Sequence, residues 1–119
     1  MSRSVLVVDD DWMFRELAGR LLTDVGLTVV GEAASVAAAR EAVARLEPTA
    51  VLLDIELPDG DGITLARELA ALPWRPRVVL TSINADITTT NEAEAAGAAA
   101  FVNKCDLTTA PLRELLAGG

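Results

Sequence analysis

Histidine is absent from the 119 residues and cysteine occurs once, as Cys105. Without histidine, imidazole-based acid and base chemistry is unavailable and a zinc site is not expected; a single thiol cannot close an internal disulfide. Any metal must be held by oxygen. Basic residues are few, ten against eighteen acidic ones, and the formal charge of −8 opposes contact with a phosphate backbone. With no Lys/Arg cluster to offset it, direct nucleic-acid binding is not expected. No window approaches the roughly 18 consecutive apolar residues that a membrane span needs, and Met1-Ser2-Arg3-Ser4 is too short for a signal peptide, so a cytoplasmic location without membrane contact is expected. Internal repeats, low-complexity stretches and Pro/Ser-rich linkers are also missing. A single domain over residues 1–119, with no output domain in this chain, is the expected organisation.

What is present is a set of short apolar runs. Val5 to Val8, Ala50 to Leu53, Val78 to Leu80 and Ala98 to Val102 lack the alternation of a one-sided sheet, which predicts strands buried on both faces. Thr28 to Ala33 is weaker and suits an edge strand. Between the runs, apolar residues recur at helical spacing. Phe14, Leu17, Ala18, Leu21, Leu22 and Val25 predict a first helix stopped by Gly26, and Val36, Ala39, Val43 and Leu46 a second with Pro48 beyond it. Ile63, Ala66, Leu69 and Leu72 predict a third ended by Pro73, Thr88 to Ala96 a short fourth closed by Gly97, and Leu112, Leu115 and Leu116 a fifth with Pro111 near its start. Strand and helix alternating in this way imply a (βα)5 chain with a parallel sheet and helices on both faces.

Polar residues gather where the apolar runs end: Asp9, Asp10 and Asp11 after the first, Asp54 after the third, Thr81 and Ser82 after the fourth, Lys104 after the fifth. Ligands of open α/β sheets bind at the carboxyl ends of strands, where strand order reverses. With order 2-1-3-4-5 that point lies between strands one and three, and Asp9, Asp10 and Asp54 converge; the residues alone leave the order open. Carboxylates crowded together persist if a hard dication sits among them, and Mg²⁺ is the natural occupant. Asp11 reads best as a helix cap. Asp54, directly after Val51-Leu52-Leu53, sits at the lip of the core, where desolvation demands a partner. Thr81 and Lys104 taken singly are ordinary, but together they supply the hydrogen-bond donor and countercharge that a phosphoryl group needs.

The same residues carry a family resemblance over essentially the whole chain. Val-Leu-Val-Val-Asp9-Asp10, Val-Leu-Leu-Asp54-Ile-Glu-Leu-Pro58-Asp-Gly-Asp-Gly62, Val-Val-Leu-Thr81-Ser82 and Phe101-Val-Asn-Lys104 resemble, in order, the anchor motifs of receiver domains of two-component response regulators. The resemblance implies a flavodoxin-like α/β sandwich with order 2-1-3-4-5. It implies that Asp54 accepts a phosphoryl group from the phosphohistidine of a sensor histidine kinase. Thr81 and Lys104 would complete the catalytic set, with Mg²⁺ held by Asp10, Asp54 and the backbone carbonyl of Glu56, and Asp9 acting through water. It further implies that Thr81 and Phe101 form a switch that reshapes the surface of helix four, strand five and helix five for an output protein or domain, and it leaves room for a homodimer. Such a domain catalyses its own phosphorylation and slow dephosphorylation and is no metabolic enzyme. Cys105 stands where many receivers have Pro.

Three other readings compete. A degenerate receiver would bind proteins without phosphate, against which stands the full set of Asp9, Asp10, Asp54, Thr81 and Lys104. A flavodoxin-like cofactor binder would want a Ser/Thr/Gly-rich first loop where this chain has Asp-Asp-Asp-Trp. A haloacid-dehalogenase-type phosphatase needs an aspartate where Glu56 stands.

Overall fold

The computed structural model describes residues 3–83 and 86–118. Of the segment Met1-Ser2-Arg3-Ser4, Met1 and Ser2 lie outside the described residues. Five parallel strands, β1 (Ser4–Val8), β2 (Thr28–Ala33), β3 (Ala50–Asp54), β4 (Arg77–Ser82) and β5 (Ala100–Asn103), form one sheet in the order β2-β1-β3-β4-β5. Five helices connect or follow them: α1 (Trp12–Asp24), α2 (Val36–Leu46), α3 (Gly62–Ala70), α4 (Ile87–Ala95) and α5 (Leu112–Ala117). The flavodoxin-like α/β fold and its strand order agree with the sequence reading.

The unbroken apolar runs are explained by two cores, one on each face of the sheet. Leu6, Val8, Val51, Leu53, Val78 and Leu80 pack with the buried faces of α2, α3 and α4. Val5, Val7, Leu52 and Val79 point the other way and pack with Ala18 and Leu22 of α1 and Leu112 and Leu116 of α5. Strand residues alternate between faces, so a sheet covered twice needs apolar residues at every position. Each fully buried Leu or Val contributes roughly 1.5–3 kcal/mol relative to exposure. Among the described residues, no helix is long and apolar enough to cross a membrane.

The helix boundaries follow local chemistry. The Asp11 side chain accepts from the Met13 amide at 2.9 Å and so caps α1, while Gly26, at φ 88°, takes the left-handed turn beyond its end. Helix α3 stops at Ala70, short of the Leu72 expected in it. The residue before a proline is driven out of helical conformation, and the Ala71 and Leu72 amides instead close tight turns onto Glu68 and Leu69. Ala98 and Ala99 lie before β5 rather than in it, while Asp54, Thr81 and Ser82 are the last residues of their strands.

Between β3 and α3 the chain makes a small antiparallel ladder, Glu56 with Asp61 and Leu57 with Gly60. This turn is folded tightly against the acceptor strand: the Gly62 amide donates to Ile55 O at 2.7 Å, and a Cβ on Gly62 would fall 2.1 Å from Asp54 O. No side chain fits there. Gly62→Ala is therefore expected to lower stability in urea denaturation by about 1–3 kcal/mol, the range for a forced overpacking; wild-type stability in that variant would show that the turn yields freely.

Candidate functional site

Strand order reverses between β1 and β3, and the loop after β1 and the last residue of β3 bring three carboxylates together. Oxygens of Asp9, Asp10 and Asp54 lie within 4.8 Å of one another. Asp9 is fully buried. Its Oδ1 accepts from the Asp11 amide at 2.9 Å, and its Oδ2 is 2.6 Å from Lys104 Nζ, a charge contact whose angles are not those of a hydrogen bond. Asp54 is also buried, with Oδ1 accepting from the Glu56 amide at 3.1 Å and Oδ2 from Lys104 Nζ at 3.2 Å. Asp10 is exposed, and its carboxylate makes no hydrogen bond or ion pair among the described residues. Lys104 reaches the pair from the end of β5 and lies 4.6 Å from the centroid of the Phe14 ring.

These neighbours move the protonation equilibria. Burial pushes the Asp54 carboxyl above its ordinary value near 3.8, the amide of Glu56 opposes this, Asp9's charge adds to the rise, and Lys104 again opposes. Burial works against the Lys104 ammonium, but the contact with Asp9 and the charges of Asp54 and Asp9 outweigh it and raise its pKa above 10.5. The three carboxylates and one ammonium leave the centre anionic and lined only by oxygen donors, which fits a hard dication such as Mg²⁺ and offers nothing to a soft one.

Thr81 pairs with Asp54 in the sheet register, and its buried hydroxyl has no hydrogen-bond partner among the described residues. A buried hydroxyl without a partner is costly unless something else completes it. Ser82 Oγ donates to Glu56 Oε1 at 3.5 Å. Phe101 is half-buried, paired with Leu80 and packed against the α2–α3–α4 core, beside a shallow groove with Thr90, Ala93 and Glu94. Trp12 projects outward with Met13 and Leu17, 63 % exposed. Cys105 lies in a short 3-10 turn, Lys104–Asp106, and its amide donates to Asn103 Oδ1 at 3.0 Å.

Several participants carry no motif of their own. Phe14 reads as one more apolar position of α1, yet its ring meets Lys104. Asp59 reads as a loop aspartate, yet it accepts from the Val36 and Ala37 amides at 2.7 and 3.1 Å and ties the β3–α3 turn to the start of α2; those two bonds hold its carboxyl below the ordinary value. Arg15 reads as a polar helix residue, yet its guanidinium bonds the backbone of the acidic loop.

Comparison with known proteins gives the family. The family model for the response regulator receiver domain matches residues 5–116. The chain belongs to that family. It is 39 % identical over 104 residues to a protein-glutamate methylesterase/protein-glutamine glutaminase of Xanthomonas oryzae, covering 84 % of this chain and 28 % of that protein. The receiver thus spans little more than a quarter of the length of such curated relatives. Among solved structures, a two-component response regulator of the LuxR family from Aurantimonas superposes with TM-score 0.86 at 27 % identity, over 99 % of this chain and 87 % of that one. The signal receiver domain of the response regulator NarL from Mycobacterium tuberculosis does so with TM-score 0.83 at 33 % identity, over 93 % and 94 %. Receiver domains generally bind Mg²⁺ at an acidic pocket, and this chain gathers Asp9, Asp10 and Asp54 into an acidic cluster.

A raised folded-state pKa has a definite sign in stability. Without a cation the native state holds the Asp54 proton more tightly than the unfolded chain, so the ionised carboxylate costs stability above its folded pKa. That cost disappears as pH falls through the folded pKa toward 3.8. In Mg²⁺-free buffer Asp54→Asn should raise the thermal midpoint at pH 7, with the gain shrinking toward pH 4. A variant less stable than wild type at pH 7 would contradict the dominance of burial at Asp54.

Proposed function

We propose that this receiver is a Mg²⁺-dependent switch whose phosphoacceptor is Asp54. The observation that carries the reading is the setting of that carboxylate, buried at the sheet edge between the Lys104 ammonium, the acidic pair and the unpartnered hydroxyl of Thr81. An Asp54 oxygen attacks phosphorus, the N–P bond of a kinase phosphohistidine breaks, and the imidazole leaves with the electron pair. The transfer joins two anions, so it depends on holding them in line and cancelling their charge. Mg²⁺, held by Asp10, Asp54 and the Glu56 carbonyl with Asp9 acting through water, would supply part of that neutralisation. Lys104 supplies the rest, and it is already in contact with the acceptor oxygen.

Once Asp54 is phosphorylated, Thr81 donates its hydroxyl to the new phosphoryl oxygens. Phe101, one position along on the neighbouring strand, repacks in response, and the α4–β5–α5 surface changes for an output partner. The half-buried state of Phe101 beside a shallow groove supports this sequence of events. That partner is an effector domain or a separate protein; the methylesterase name carried by the Xanthomonas relative makes a fused effector one such arrangement.

Intact-mass measurement after incubation with acetyl phosphate and Mg²⁺ tests chemistry and site together. Wild type should gain one phosphoryl group, Asp54→Asn none, and Asp10→Ala far less because its Mg²⁺ affinity drops. An unmodified wild-type protein would favour a binding module that works without phosphate. Lys104→Ala and Thr81→Ala should keep the fold but lose most of the change in amide exchange that beryllofluoride causes; a full wild-type response in both would remove them from the switch.

A further inference from the structure

Among the described residues, Asp10 is the member of the carboxylate cluster whose side chain makes no hydrogen bond or ion pair. Its direction is therefore set by its backbone, and the peptide group that leads into it is tied down by one residue. The carbonyl of Asp9 belongs to the Asp9–Asp10 peptide, and Arg15 Nη1 donates to it at 2.6 Å. Arg15 Nε donates at 2.8 Å to Glu32 Oε1, on β2 at the edge of the sheet, and the arginine side chain is only 17 % exposed. The Asp9 amide donates to Ala33 O at 3.0 Å, next to Glu32 in the same strand. The Asp9–Asp10 peptide is thus held at its carbonyl by a guanidinium that a carboxylate of β2 keeps in place, and the Val8–Asp9 peptide just before it is held directly by the amide bond to β2.

We propose that Arg15, oriented by Glu32, is a positioning residue for the cation site, which pins the Asp9–Asp10 peptide so that the Asp10 carboxylate faces Asp54. The proposal rests on the Mg²⁺ reading above. The planar guanidinium is suited to this because it addresses Glu32 and the carbonyl at once with fixed geometry; a lysine ammonium has one flexible point of contact. Arg15 also follows the loop on the first turn of α1, where its own amide donates to Asp11 O at 3.1 Å. Loop, helix start and strand edge are thereby joined through a single side chain. Groups that orient the residues around a metal commonly carry a tenfold or larger share of its affinity.

Mg²⁺ affinity by calorimetric titration, with thermal unfolding and amide exchange of the Mg²⁺-free proteins alongside, tests this. Arg15→Met should bind Mg²⁺ about tenfold or more weakly, with faster exchange at the Asp10 and Asp11 amides and a thermal midpoint close to wild type. Arg15→Lys, which keeps the charge, should restore little of the loss. Glu32→Ala should weaken binding to a lesser degree, and adding it to Arg15→Met should produce no further loss, because the two act as one unit. Wild-type affinity in Arg15→Met would overturn the proposal, as would full rescue by Arg15→Lys, which would assign the effect to charge alone. Additive losses would remove Glu32 from the arrangement and overturn it in that form. If wild type itself failed to bind Mg²⁺, the failure would lie with the underlying reading, and the brace would fall with it.

Discussion

The contact on which the site depends is that of the Lys104 ammonium with two buried carboxylates, 2.6 Å from Asp9 and 3.2 Å from Asp54. Removing two like charges from water and placing them side by side is unfavourable twice over, by desolvation and by repulsion. One ammonium between them offsets part of both. It leaves a deficit of positive charge, since Asp10 adds a third carboxylate at the mouth. The cluster as a whole therefore stays anionic, the electrostatic setting that favours a bound cation. This also explains why Asp54 and Lys104 shift in the same direction: burial dominates at the acid, and the acids dominate at the lysine.

The two-sided core matters because that contact joins the ends of three different strands. Asp9 leaves β1, Asp54 closes β3 and Lys104 follows β5, and each strand is locked by apolar side chains on both faces. Distances of this kind are therefore set by packing rather than by loops. The loop between β3 and α3 is tied at three places: by the Gly62 amide to Ile55, by the small ladder, and by Asp59 to the amides at the start of α2. Its freedom is small, and the carbonyl of Glu56 lies within it.

Much of the fold was legible in the sequence because doubly covered strands leave a strong mark: Val5 to Val8 and Ala50 to Leu53 are apolar at every position. Asp54 stood out for the same reason, as a charge at the end of such a run. The strand order needed the family resemblance, since nothing in the composition of β1 says that β2 and β3 flank it. The ends of α3 and β5 were misjudged at Leu72 and Ala98 because helical spacing and apolar character continue past the point where Pro73 and the turn before β5 stop the element. Phe14, Arg15 and Asp59 were invisible as site residues. Each acts through a contact between segments distant in sequence or through a backbone group, and neither leaves a periodicity or a motif.

The residue after Lys104 has a practical consequence. Because Cys105 is not a proline, it has an amide proton, and that proton closes the turn onto Asn103. It is also the only thiol in the chain, and it is exposed. A maleimide dye or a nitroxide could thus be attached at a single known position, one residue from the central ammonium, without first removing competing cysteines. With Trp74 replaced, the indole of Trp12, exposed at the start of α1, would be left as a single intrinsic donor against a dye at that thiol.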